Sequence, residues 1–142
     1  MKSLVLDTNI LLDIFVFQDE RAADLRKALL SKAIRPFSSQ ATLIEFADVL
    51  SRPLFCLEAS AQEDILSQWK GMSYILNDAD IPASPWKCSD PDDQIFLDLA
   101  YFNRPSTLIS KDHALLIMAK ITAKTGVCIS KDYNAFLIND GD

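Results

Sequence analysis

The sequence predicts an α/β fold in which helices cover both faces of a central, mostly parallel sheet. Short apolar runs that end at polar residues alternate along the chain with longer segments of helical periodicity. The short runs are almost continuously apolar, which is typical of strands buried on both faces. With 142 residues, 49% of them hydrophobic and only three glycines, we expect a single domain over residues 1–142 with a substantial core.

Apolar spacing predicts six elements in the first half of the chain. An unbroken apolar run predicts a strand, whereas apolar residues three and four apart predict a helix. Ser39 is placed to cap the helix that follows it, and Pro53 limits that helix at its other end. In chain order, the elements are a strand at 4–6, helices at 10–15 and 20–33, a strand at 36–38, and helices at 41–50 and 61–76.

The second half begins with a loop and continues as strands that alternate with helices. Residues 77–89 hold two of the six prolines and little periodicity, which predicts a loop with at most one short strand. Asp90 and Pro91 form a helix start, with Asp as the cap and Pro at the first helical position. The later elements are a helix at 91–101, a strand at 107–110, a helix at 113–123, a strand at 127–129 and a short helix near 135–137.

Composition narrows the class of function. The chain has 20 acidic against 14 basic residues, so its net charge is negative. This excludes a protein that binds nucleic acids non-specifically over its whole surface. Three cysteines without a C-x-x-C pair, and an N-terminal apolar run too short for a signal peptide or a membrane span, indicate a reduced, cytoplasmic protein with no membrane contact. His113 is the single histidine, which excludes histidine-rich zinc sites and leaves the chemistry to carboxylates.

Four carboxylates lie where they could form one site. Asp7 and Asp112 follow predicted strands, at the sheet edge where parallel folds bind ligands. Asp93 opens a helix on its apolar side, and Glu45 lies within a largely apolar helix. Four such groups in one cleft repel one another, and a divalent cation is the usual reason to hold them together. Oxygen ligands favour Mg²⁺ or Mn²⁺ over zinc.

Each acid also fits a purely structural role when it is taken alone. Asp7 and Asp112 are suitable helix caps, and Asp93 lies three residues after Asp90, the spacing of a capping box. Glu45 falls at the spacing of a solvent-facing helix surface. The four acids therefore indicate a site only as a set.

Four motifs in order strengthen the case for a set. They are Asp7-Thr8-Asn9 after the first strand, Glu45 within Ser39-x5-Glu45-x4-Leu50-x-Arg52-Pro53, Cys88-x-Asp90-Pro91-x-Asp93 before a helix, and Ser110-x-Asp112 after a strand. At this spacing, and over residues 4–137, the motifs resemble the PIN-domain family. The similarity is to the VapC-like subgroup of toxin components of toxin–antitoxin pairs.

The resemblance implies a three-layer α/β/α fold and an endoribonuclease that uses Mg²⁺ or Mn²⁺. By position, it makes catalytic metal ligands of Asp7, Glu45, Asp93 and Asp112, and supporting or substrate-binding residues of Thr8, Asn9, Ser110 and Asp90. It implies an RNA substrate, a cognate antitoxin and a homodimer. Two sets of basic residues could hold the RNA backbone. One is a basic strip on the second helix, formed by Arg21, Arg26, Lys27 and Lys32, and the other is Arg52, just before Pro53.

Two other hypotheses stay open. Gln94 and Ala114 stand where the subgroup usually has Asp, which favours a binding module that has lost catalysis. Asp7 could instead be the nucleophile of a Mg²⁺-dependent phosphoryl hydrolase, although such enzymes generally carry a second Asp where this chain has Asn9. The absence of a Gly-rich turn excludes a Rossmann-type nucleotide site.

Overall fold

The computed structural model describes residues 2–137, so Met1 and residues 138–142 of the predicted domain lie outside the described part. Five strands form one sheet in which every neighbouring pair is parallel. The strands are β1 (Ser3–Leu6), β2 (Arg35–Ser39), β3 (Tyr74–Leu76), β4 (Ser106–Ile109) and β5 (Val127–Ser130), and they lie in the order β3-β2-β1-β4-β5.

Seven α-helices connect the strands within residues 2–137. They are α1 (Thr8–Phe15), α2 (Ala23–Leu30), α3 (Gln40–Leu50), α4 (Ala59–Met72), α5 (Gln94–Phe102), α6 (His113–Leu116) and α7 (Ala119–Ala123). Short 3₁₀ turns precede α2, α4 and α5. The helix predicted to start at Pro91 therefore begins as a 3₁₀ turn over Pro91–Asp93, and its α-helical part starts at Gln94. None of the helices in this part of the chain is long and apolar enough to cross a membrane.

The side chains of β1 alternate between two cores, one on each face of the sheet. Leu4 and Leu6 pack with residues of α1, α2, α3 and α4, whereas Val5 packs with residues of α5 and α6. The sheet is therefore the middle layer between two layers of helices. This arrangement confirms the predicted three-layer α/β/α fold.

The predicted helix over 61–76 is wrong at its C-terminal end. The helix α4 ends at Met72, and Tyr74–Leu76 form the edge strand β3, which pairs with β2. The turn between them is stabilised by Ser73, whose backbone N–H and hydroxyl both donate to the carbonyl of Trp69. Helical spacing continues past Met72 in the sequence, but pairing with β2 decides the conformation.

The helix predicted over 113–123 is also wrong as a single element, because it is divided into α6 and α7. The backbone tightens where they meet, since the N–H of Met118 donates to Leu115, three residues earlier. The helix predicted over 20–33 is shorter than expected and ends at Leu30, just before Lys32 takes a left-handed conformation with φ of 60°. The predicted Ser39 cap is confirmed as a capping box with Thr42.

Candidate metal centre

From β1 the chain adds β2 and β3 on one side of the sheet, and it then returns to add β4 and β5 on the other side of β1. The centre of the site lies at the ends of the neighbouring strands β1 and β4, where the strand order reverses. Leu6 pairs with Ile109, so the two strands end at the same level. The residues that follow them are therefore neighbours. The hydroxyl of Ser110, after β4, donates a hydrogen bond to Oδ2 of Asp7, after β1.

Asp7 is both a helix cap and a buried acid, being 3% exposed. Its Oδ1 accepts a hydrogen bond from the backbone N–H of Ile10 at 3.1 Å, so the cap interpretation is correct as far as it goes. Burial raises the pKa of Asp7 to about 6, although the hydrogen bonds from Ser110 and Ile10 oppose the rise. The charge of Asp112 adds to the rise.

Glu45 reaches the same region from α3. Its Oε2 accepts a hydrogen bond from the hydroxyl of Thr8 at 2.5 Å, which joins α3 to the first turn of α1. Glu45 is half-buried, and Thr8 is buried. The Glu45 side chain therefore turns toward the ends of the strands. It does not lie on a solvent-facing surface of α3, which was the structural interpretation of its spacing.

Asp90, Asp93 and Asp112 form the most crowded part of the site. Each offers a carboxylate oxygen, and these oxygens lie within 4.8 Å of one another. Asp93 is 9% exposed, and its Oδ2 is buried without a hydrogen-bond donor among residues 2–137. Burial and the adjacent carboxylate of Asp112 raise the pKa of Asp93 well above its usual range. Carboxylates this close repel one another, and a shared proton or a cation between them would relieve the repulsion.

The other supports of this group are local. Asp112 caps α6 by accepting from the N–H of Ala114 at 3.0 Å, and its own N–H donates to Ser110 Oγ at 3.0 Å. Asp90 caps the 3₁₀ turn before α5 by accepting from the N–H of Asp92 at 3.0 Å. Caps on short helical segments thus hold these two acids in position.

One cavity of about 470 Å³ is lined by all four predicted acids, Asp7, Glu45, Asp93 and Asp112. Thr8 and Asn9 contribute to its wall, whereas Ser110 and Asp90 contact the acids without lining it. His113 is exposed and lies outside the lining. The remaining lining residues are Leu12, Val49, Arg52, Leu54, Phe55, Asp92 and Phe96.

Asp92, Leu54 and Phe55 are cavity residues that sequence reasoning missed. Asp92 carried a signal, because it lies in the acidic run that precedes α5. Leu54 and Phe55 follow α3 in the 3₁₀ turn Pro53–Phe55, and the packing of α3 against α1 places that turn beside the cavity. No local pattern in the sequence indicates this placement.

Of the five basic residues predicted to hold RNA, Arg52 alone lines the cavity. Its guanidinium lies 3.4 Å from the Asp48 carboxylate, and its side chain is 59% exposed. Arg21 instead pairs with Asp19 at 2.7 Å, and Arg26 donates to the carbonyl of Ile14 at 3.0 Å. The predicted basic strip is therefore not part of the acidic cavity.

The departure from the motif at Gln94 has a structural explanation. The side-chain amide of Gln94 accepts from the N–H of Cys88 at 2.7 Å and donates to the carbonyl of Trp86 at 2.8 Å. It also donates to Asp98 at 2.9 Å. Gln94 thus fixes the loop that leads to Asp90, and it does not line the acidic cavity. Ala114 contributes its backbone N–H to Asp112.

The donor set fits a divalent cation. The four acids Asp7, Glu45, Asp93 and Asp112 offer carboxylate oxygens as metal ligands. Mg²⁺ and Mn²⁺ prefer ligands of this type. The unpartnered Oδ2 of Asp93 is a second indication, because a buried carboxylate oxygen without a hydrogen-bond donor is stabilised by a proton or by a cation. A cation would also make this acidic cavity able to bind phosphate.

A family model described as the PIN domain matches residues 3–114. The matched region runs from the start of β1 into α6 and includes all four acids. No curated protein matches the chain.

Proposed function

Because the chain belongs to the PIN-domain family, whose members are generally nucleases, we propose that it is an endoribonuclease that hydrolyses RNA phosphodiester bonds with Mg²⁺ or Mn²⁺. The observation that carries the proposal is the convergence of Asp7, Glu45, Asp93 and Asp112 on one cavity. These acids come from four separate segments, so their meeting is not explained by local helix capping.

The four acids would hold the cation, with Asp90 within reach of Asp93 and Asp112. When bound, a divalent cation there lowers the pKa of water and offsets negative charge on the phosphate. The protein's contribution is to hold the carboxylates in fixed orientations. Ser110 orients Asp7, and Thr8 orients Glu45, each through a hydrogen bond.

Substrate contacts are proposed for two exposed polar residues of the cavity. Among residues 2–137, the ion-pair partner of the Arg52 guanidinium is the exposed carboxylate of Asp48 at 3.4 Å, so the guanidinium is available to a phosphate oxygen. Asn9 is exposed in the cavity wall and carries both a donor and an acceptor. Four carboxylates without a cation would repel RNA, so we expect cation binding and RNA binding to be coupled.

We further propose that the protein is the toxin of a toxin–antitoxin pair that acts in the cytoplasm. The motif resemblance over residues 4–137 supports this role. The role implies a cognate antitoxin protein, and the resemblance also implies a homodimer. Expression of the protein alone in bacteria should slow growth, and Asp7→Asn should abolish the effect. Equal growth inhibition by the parent and Asp7→Asn would contradict the toxin role.

The two competing hypotheses lose support from particular contacts. Gln94 and Ala114 were the reasons to consider a binding module without catalysis. The amide of Gln94 serves the loop before Asp90, and all four acids still line the cavity without an Asp at either position. An aspartyl nucleophile at Asp7 is disfavoured because both of its oxygens already accept hydrogen bonds, which lowers their nucleophilicity.

The direct test of the activity is cleavage of end-labelled RNA by purified protein. We expect cleavage with Mn²⁺ or Mg²⁺, none in excess EDTA, and recovery when the metal is restored. Asp7→Asn should remain folded by circular dichroism and lose cleavage. Failure of the folded parent to cut single-stranded or structured RNA in either metal would contradict the proposed activity and favour a binding module.

A further inference from the structure

Asp13 is a buried acid outside the cavity that holds the other four. It lies in α1 and is 6% exposed. Its Oδ2 accepts a hydrogen bond from the hydroxyl of Tyr133 at 2.8 Å and lies 2.6 Å from Nζ of Lys111. The buried carboxylate thus has two partners, one of them charged, which meets the requirement for burying an ion.

The three residues come from segments that also carry or flank the metal centre. The helix α1 starts directly after Asp7 and contains Thr8. Lys111 stands between Ser110 and Asp112, the two site residues that follow β4. The Asp13–Lys111 pair therefore ties the segment of Asp7 to the segment of Asp112.

Tyr133 supports the pair from beyond β5. It is 7% exposed, and the guanidinium of Arg21 lies over its ring, 5.6 Å from the centroid. Arg21 is itself held by Asp19 at 2.7 Å. These contacts restrict the position of the Tyr133 hydroxyl and so the orientation of the Asp13 carboxylate.

We propose that Asp13, Lys111 and Tyr133, here called the cross-brace, are positioning residues for the metal centre. They hold the segment 110–112 against α1, so that Asp7 and Asp112 keep a spacing that suits one divalent cation. The cross-brace contacts neither the cation nor the RNA. This inference rests on the proposed function, because it assumes that the cavity binds a cation.

Metal affinity distinguishes positioning from simple stabilisation. Mn²⁺ binding is measured by isothermal titration calorimetry on the parent, Tyr133→Phe and Lys111→Met. Loss of a residue that orients metal ligands typically weakens metal binding about 10- to 100-fold, and we expect a loss in that range for Lys111→Met. Removing a positive charge near a cation would by itself strengthen binding, so a weaker affinity has to come from lost geometry.

Two further variants guard against misfolding and charge effects. Asp13→Asn combined with Lys111→Met leaves no unpaired buried charge, and it should also bind Mn²⁺ weakly. Lys111→Arg keeps the charge and a donor, and it should restore affinity toward that of the parent. The matched control is Thr122→Val, which removes a buried hydroxyl that donates to the carbonyl of Val127 at 3.0 Å, between α7 and β5.

The outcomes separate the two proposals. In chelator, Tyr133→Phe and Thr122→Val should lose comparable stability, but only Tyr133→Phe should bind Mn²⁺ more weakly. If the cross-brace variants melt at lower temperature yet bind Mn²⁺ as tightly as the parent, the cross-brace is structural and this inference is wrong. If the parent itself binds no Mn²⁺, the proposed function fails and the inference fails with it.

Discussion

The hydroxyl of Ser110 donates a hydrogen bond to Asp7, which lies 103 residues earlier in the chain. The same oxygen accepts the backbone N–H of Asp112 at 3.0 Å. One serine thereby fixes two of the four acids, one after each central strand. The contact depends on β1 and β4 being adjacent and ending at the same level.

Ser110→Ala should therefore weaken the metal centre without unfolding the protein. The variant leaves Asp7 without its side-chain donor, and we expect Mn²⁺ affinity or cleavage to fall about 10- to 100-fold. The cleavage rate against Mn²⁺ concentration measures the effect. Ser106→Ala is the matched control, because Ser106 is a buried serine of β4 whose hydroxyl donates to the carbonyl of Ala100 at 2.6 Å. Equal effects of the two substitutions would contradict a special role for Ser110.

Asp93→Asn should stabilise the metal-free protein. The Asp93 side chain is buried beside Asp112 with an unpartnered oxygen, and its raised pKa means that folding at pH 7 costs either a buried charge or the uptake of a proton. An amide removes this cost and supplies a donor. We expect the free energy of unfolding in EDTA at pH 7 to rise by about 1 kcal/mol or more. Asp92→Asn, at the exposed neighbouring acid, should change it by less than about 0.5 kcal/mol. A clear loss of stability in Asp93→Asn would instead favour a capping role.

The metal-free protein should lose stability as the pH rises from about 4 to about 6. The pKa of Asp7 is about 6 in the folded protein against 3.8 as the ordinary value, so the folded state binds the proton more tightly than the unfolded state. Proton binding by Asp7 contributes its full amount to the free energy of unfolding below the ordinary pKa. This contribution is lost as the pH rises through the pKa of the folded protein. A shift of this size corresponds to about 3 kcal/mol.

Urea unfolding of the parent and Asp7→Asn in EDTA, over this pH range, isolates the contribution of Asp7. The stability of the parent relative to the variant should fall as the pH rises. Saturating Mn²⁺ should reverse the trend for the parent, because a cation binds the ionised carboxylate. A difference in EDTA that grows in favour of the parent with rising pH would show that the ionised form of Asp7 is stabilised without a metal.

Much of the fold follows from local patterns in the sequence. The central strands and the Ser39 cap depend on neighbours in sequence, and the structure has them where the patterns predict. Asp90 is also a cap, but it caps a 3₁₀ turn over Pro91–Asp93, and α5 begins only at Gln94. The strand β3 was missed because its partner is β2, more than thirty residues away, and helical spacing happens to continue into it. Pairing across the sheet can override such a local pattern.

The candidate site divides in the same way. Asp7 and Asp112 are predictable because polar residues after parallel strands meet at one edge. Asp93 and Glu45 required the motif resemblance, since each alone fits a helix surface or cap. Asp13 gave no signal beyond its position in an apolar helix, because its partners Lys111 and Tyr133 lie about a hundred residues later.

The most direct test follows metal binding and RNA cleavage in the same samples. A cation that binds only the folded state at a hundredfold excess over its Kd should add about 2.7 kcal/mol of stability. In a Mn²⁺ titration, we predict that stability and cleavage rate rise together, and that Asp7→Asn combined with Asp112→Asn loses both. Cleavage that persists undiminished in excess EDTA, or in that double variant, would contradict the account.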